Sequence, residues 1–80
     1  MMRRKQLAWR LRVAMEMAEI STQELAYEAG VPTWAVYKCR DKSGKLSVSP
    51  SVWSALFGAI EGWAPGTLRM LNAAEEAMNG

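Results

Sequence analysis

Residues 21 to 40, STQELAYEAGVPTWAVYKCR, restrict the fold more than any other stretch of this chain. Ser21 followed three residues later by Glu24 spells a capping box, in which the hydroxyl accepts from a free backbone N–H and the carboxylate returns to the N–H of the cap. The spacing predicts a helix over 22–29, with Leu25, Ala26 and Ala29 on its apolar face. Gly30 stands where a left-handed residue ends a helix without a Cβ clash. Val31 is held extended by Pro32, whose fixed φ suits the first turn of a helix, so a second helix is expected over 33–40. Val36 and Cys39, with Ala35 beside them, supply its inward face. Thr33, Trp34, Tyr37 and Lys38 are left outward. Two short helices bent about a glycine-centred turn make a helix-turn-helix.

The flanks read as further helices. QLAWRLRVAMEMAEI places Leu7, Leu11, Ala14 and Ala18 on one face, predicting a helix over 6–19 that packs across the hairpin. Trp9, Val13 and Met17 form a second apolar line on its opposite side, which marks either an exposed partner surface or a helix covered on both sides, and modest exposure of single side chains is expected. DKSGKLSVS is loop by composition. Ser49-Pro50 opens a helix expected over 50–61, with Val52, Trp53, Leu56, Ala59 and Ile60 inward, Gly62 as its stop and Trp63 folding back as closure. Pro65 begins a last helix over 65–78, with Leu68, Leu71 and Ala74 inward. The expectation is one all-α domain over 1–80, five helices behind a basic arm at 1–5.

Eighty residues build one core and not two. No apolar run approaches the roughly 20 residues that span a bilayer, and the basic start MMRRK is not followed by a signal-peptide apolar core. A cytoplasmic protein is expected. One cysteine and no histidine leave neither an internal disulfide nor a standard nitrogen–sulfur metal cluster, and Cys39 reads as a small core residue. No nucleophile stands beside a base and no glycine-rich phosphate loop is present, so no enzyme activity, cofactor or small-molecule ligand is expected.

The net charge of +2 is unevenly spread. Arg3, Arg4, Lys5, Arg10 and Arg12 precede any acid, then Glu16, Glu19, Glu24 and Glu28 follow without a base. Lys38, Arg40, Lys42 and Lys45 surround Asp41, whereas the remainder carries Arg69 against Glu61, Glu75 and Glu76. Basic charge thus gathers at the N-terminus and around the second hairpin helix, where phosphates would lie if that helix entered a DNA groove.

With five helices of which the second and third form the hairpin, the chain resembles the phage repressor and Cro family, the lambda-repressor-like or XRE-type class. STQELAYEAGVPTWAVYKCR is similar to that family's helices two and three. VWSALFGAIEGWAPGTLRML resembles its last two helices in actinobacterial and actinophage members, where a GW-x-PG-x-LR-x-L pattern is common. The resemblance spans roughly residues 7 to 72. It implies a compact lambda-repressor-like DNA-binding domain that acts in transcription regulation, as a homodimer on a two-fold operator in double-stranded DNA. It further implies that Thr22 and Gln23 approach a phosphate at the start of helix two, where the helix dipole favours an anion. Thr33, Trp34 and Lys38, with Tyr37 beside them, match positions that touch base edges. Lys42, Ser43, Lys45 and the neighbouring Arg40 fall where the family skirts the backbone, and Arg3 and Arg4 would add phosphate contacts from the arm.

The chain departs from the family at two positions. Pro32 replaces the usual serine cap of the recognition helix, which would shift capping to Thr33. Trp34 replaces the familiar arginine or glutamine, and its single donor makes no bidentate pair with a base, leaving Lys38 as the guanine reader. Two other readings remain open. A winged-helix, excisionase-like DNA binder would need two strands after residue 40, and GKLSVSPSV offers one at most. A protein-interaction module, an antitoxin or antirepressor on the same fold, would use Trp9, Val13, Met17 and Trp34 as its surface.

Overall fold

Every regular element is helical in a computed structural model, which describes residues 4–41 and 48–79. The elements are α1 (Arg4–Ala18), α2 (Thr22–Ala29), α3 (Thr33–Arg40), α4 (Pro50–Trp63) and α5 (Thr67–Asn79). No strand occurs among the described residues; α4 begins at Pro50, inside the GKLSVSPSV stretch that offered one strand at most, and residues 44–47 of that stretch lie outside the described residues.

The α2–α3 hairpin follows from its local chemistry. Ser21 Oγ accepts from the Glu24 N–H at 3.1 Å while the Ser21 N–H donates to Glu24 Oε1 at 2.9 Å. At the other end Gly30 adopts φ 69°, and the N–H groups of Gly30 and Val31 return to Tyr27 O and Ala26 O. This double bond at a left-handed residue is the Schellman closure, which satisfies carbonyls that the helix leaves without partners.

Five helix limits differ from the sequence expectation, two of them slightly: α1 already begins at Arg4, taking in two residues of the expected arm at 1–5, and α5 runs to Asn79 rather than 78. The helix expected over 6–19 ends at Ala18, and Glu19 takes φ 53° with no glycine to ease it. The Glu19 N–H bonds Glu16 O at 3.2 Å and the Ile20 N–H bonds Met15 O at 3.1 Å, while Ile20 and Met15 are both buried. Burial of that pair offsets the cost of a left-handed glutamate.

Helix α4 runs through Gly62, its expected stop, to Trp63. Gly62 has no positive φ; Ala64 breaks the helix at φ −137°, ψ 87°. A residue before proline is driven out of the α region by the pyrrolidine ring, so Pro65 sets this boundary. Trp63, expected to fold back as closure, is the last helical residue and is exposed.

The last helix begins at Thr67, not at 65. Pro65 and Gly66 form a turn with Gly66 at φ 94°. The Glu61 carboxylate accepts from the N–H of Gly66 at 2.8 Å and of Leu68 at 3.2 Å, so a residue of α4 caps α5. Thr67, almost fully buried, donates its hydroxyl to Ala64 O at 2.6 Å.

The core joins Leu11, Ala14, Met15 and Ala18 of α1 to Leu25 and Ala26 of α2, Val36 and Cys39 of α3, Trp53, Leu56 and Ile60 of α4, and Leu71 of α5. Trp53 also stacks near Phe57, with ring centroids 6.3 Å apart. Helix α1 lies against α3, α4 and α5, and α2 against α3 and α4. Trp9, Val13 and Met17 are partly buried against the core, so α1 is covered on both sides. No helix of the described residues is long and apolar enough to cross a membrane.

Candidate nucleic-acid interface

Helix α3 is wedged on three buried side chains, Ala35, Val36 and Cys39, which meet α1, α2 and α4. The helical repeat then turns Thr33, Trp34 and Tyr37 to solvent, Trp34 at 62% and Tyr37 at 59% exposure. Pro32 is the N-cap, with no side-chain cap bond, and Thr33 is the first helical residue rather than the cap. Ala35 N–H bonds Pro32 O at 3.0 Å, so the turn is closed by backbone alone. The Thr33 side chain therefore stands on the exposed rim of the helix.

Lys38 does not project free of its surroundings. It is half-buried, and its Nζ lies 5.3 Å from the centroid of the Trp34 ring. Beside this pair, between α3 and the start of α4, lies a slot of about 200 Å³ lined by Trp34, Ala35, Lys38, Val48, Ser49 and Val52.

The start of α2 is organised differently from the expectation. Thr22 is half-buried and accepts from Arg40 Nη1 at 2.7 Å, and Arg40 O accepts from Arg12 Nη1 at 3.1 Å. Arg40, expected at a phosphate, is thus a strut between the end of α3 and the start of α2, and its Nε is buried without a partner. Gln23 is exposed. An open cleft of about 500 Å³ runs past these groups, and Glu16, Glu19 and Glu24 line it together with Arg12 and Arg40. Glu24 is held below the ordinary glutamate range by the Ser21 N–H and then by the Ser21 hydroxyl, so it stays charged at neutral pH. Three carboxylates among two guanidiniums make this cleft a poor anion seat, whatever the dipole of α2 contributes.

The N-terminal basic cluster is also partly spent inside the fold. Arg10 forms an ion pair with Glu75 and donates from Nη2 to Asn72 Oδ1 at 2.8 Å, fastening α1 to α5. With Arg12 turned to Arg40 O, two of the basic groups preceding the first acid hold helices together. Arg3, Lys42, Ser43 and Lys45 lie outside the described residues, as does the side chain of Arg4.

No family model, curated protein or solved structure matches the chain. The face of α3 carries its own chemistry. It offers two hydroxyls, two aromatic faces and a cation on one helix, bordered by an apolar slot. Two features escaped the sequence: the Trp34–Lys38 contact, whose only signal was the four-residue spacing, and Tyr27, which stands 84% exposed on α2.

Proposed function

We propose that this chain is a sequence-specific DNA-binding transcriptional regulator of the lambda-repressor-like kind its sequence resembles, with α3 as the helix that enters the major groove. The observation that carries this reading is the outward face of α3, where Thr33, Trp34, Tyr37 and Lys38 stand together above buried Ala35, Val36 and Cys39. An α-helix with its side chains is about 10–12 Å across, which the major groove of B-DNA, about 12 Å wide, admits. In this reading Lys38 meets guanine, Trp34 meets a thymine methyl or the sugar backbone, and Thr33 and Tyr37 reach the adjacent edges. Gln23, exposed on α2 and not part of the carboxylate-lined cleft, approaches a phosphate with its side chain. Lys42, Ser43, Lys45, Arg3 and Arg4 position the protein without specifying sequence.

The small surface of one domain is doubled by binding as a homodimer, with half-sites about one helical turn apart. The protein acts in the cytoplasm, on double-stranded DNA. A protein-docking module is the second reading, and the exposed aromatics favour it: Trp and Tyr anchor many protein interfaces, Trp34 and Tyr37 are both exposed, and Trp34 borders an apolar slot.

Selection of bound fragments from a random DNA library at near-physiological salt separates the two. An enriched motif with two-fold symmetry supports the regulator and its stoichiometry together. No enrichment, or binding that ignores salt and sequence alike, transfers the face of α3 to a protein partner.

A further inference from the structure

We infer that Trp34 is a positioning residue for Lys38: the indole holds the lysine ammonium over its face and thereby fixes which base edge the lysine reaches, so that the two side chains read DNA as one unit. This rests on the DNA-binding reading above and deepens it.

The geometry follows from the helix. Trp34 and Lys38 are four residues apart on α3, which brings their side chains over one another on a single face. Helical side chains lean toward the N-terminus, so the lysine stem is carried toward the tryptophan and not away from it. The observed Nζ-to-centroid distance of 5.3 Å lies within the roughly 6 Å over which an ammonium is attracted to the ring quadrupole. The burial pattern agrees: the lysine is half-buried although it carries the charge, while the tryptophan remains 62% exposed. A cation lying along an aromatic plate gives this combination, with the lysine forming part of the wall of the slot that Val48 and Val52 also line.

Such a plate answers a chemical weakness of lysine as a reader. An ammonium is a compact charge on a flexible four-carbon stem, and without a fixed direction it favours any acceptor within reach. Guanine offers O6 and N7 in the major groove, and discrimination requires that the ammonium arrive there and not at a neighbouring phosphate. The ring occupies one side of the ammonium and so restricts the directions from which those acceptors are met. Trp34, unable to make a bidentate contact itself, contributes to specificity through Lys38.

The test is a specificity cycle. Fragment selection on the wild-type protein is followed by titration of every single-base variant of the selected site, with wild type, Lys38→Ala, Trp34→Ala, Trp34→Phe and the double variant Trp34→Ala/Lys38→Ala. Trp34 is exposed, so these proteins keep their core. Lys38→Ala is expected to reduce discrimination at one base pair by roughly 5–150-fold, and Trp34→Ala to reduce it at the same base pair by about 2–5-fold. Trp34→Phe retains the discrimination, and the double variant matches Lys38→Ala alone at that position. Additive losses, an effect of Trp34→Ala at a different base pair, or an equal loss on all sequences overturns the positioning role while DNA reading stands. Absence of any enriched motif for the wild type overturns both.

Discussion

The guanidinium of Arg40 donates to the hydroxyl of Thr22 at 2.7 Å, so the last residue of α3 is tied to the first residue of α2. The bond crosses the open side of the hairpin, opposite the Gly30 turn, and fixes the angle between its helices. Arg40→Ala is expected to lower stability by about 1.5–3 kcal/mol, the range for a hydrogen bond to a charged group. Thr22→Val, which leaves the half-buried guanidinium without this acceptor, should cost a comparable amount. Urea unfolding followed by circular dichroism measures both. If neither change moves the midpoint, the strut contributes nothing to the hairpin.

Two left-handed residues end helices here, one a glycine and one a glutamate, and they call for opposite substitutions. Gly30→Ala meets no steric obstacle, since nothing lies within 4 Å of an added Cβ, yet φ 69° strains any L side chain. A loss of about 1–2 kcal/mol is expected from the backbone alone. Glu19→Gly relieves the same strain at φ 53° and is expected to stabilise the protein by up to about 1 kcal/mol. A destabilised Glu19→Gly protein would show that the glutamate side chain outweighs its backbone.

Glu24 and Glu61 predict the acid response. Glu61 is held below the ordinary glutamate range by the N–H groups of Gly66 and Leu68, then by the charge of Arg69, as Glu24 is held by Ser21. A carboxyl whose folded value is depressed binds fewer protons folded than unfolded. Its contribution is complete above the unfolded value of about 4.3 and is lost as pH falls through the lower folded value. Melting temperature should be flat from neutral pH to about pH 5 and fall below it, with a shallower fall in Glu24→Gln and Glu61→Gln. An acid limb unchanged in both variants would place the responsible groups elsewhere.

Lys38 and Lys42 separate reading from positioning. Lys38→Ala should cost about 1–3 kcal/mol on a selected site and relax discrimination at one base pair. Lys42→Ala should weaken all sequences alike and flatten the salt slope by about one. Fluorescence anisotropy titrations on selected and scrambled duplexes at several salt concentrations read out both effects. Equal losses on both duplexes for both variants would mean that α3 is not the reader.

The sequence by itself determined the hairpin and its faces. A capping serine, its returning glutamate, a left-handed glycine and a helix-opening proline act on backbone within a few residues, so α2 and α3 occupy the spans their chemistry marks. The inward set of Val36 and Cys39, and the exposure of Trp34 and Tyr37, follow from the same short period. Only the tertiary structure decided where the charges go. Arg10 finds Glu75 across 65 residues and Arg12 finds the Arg40 carbonyl across 28, pairings that no local pattern encodes because they depend on how whole helices are packed. Packing also decided that α1 ends at a glutamate, since burying Ile20 against the helix end outweighs the preference for glycine. Glu61 reached the start of α5 because Pro65, not Gly62, ended α4 and turned the chain back over that carboxylate.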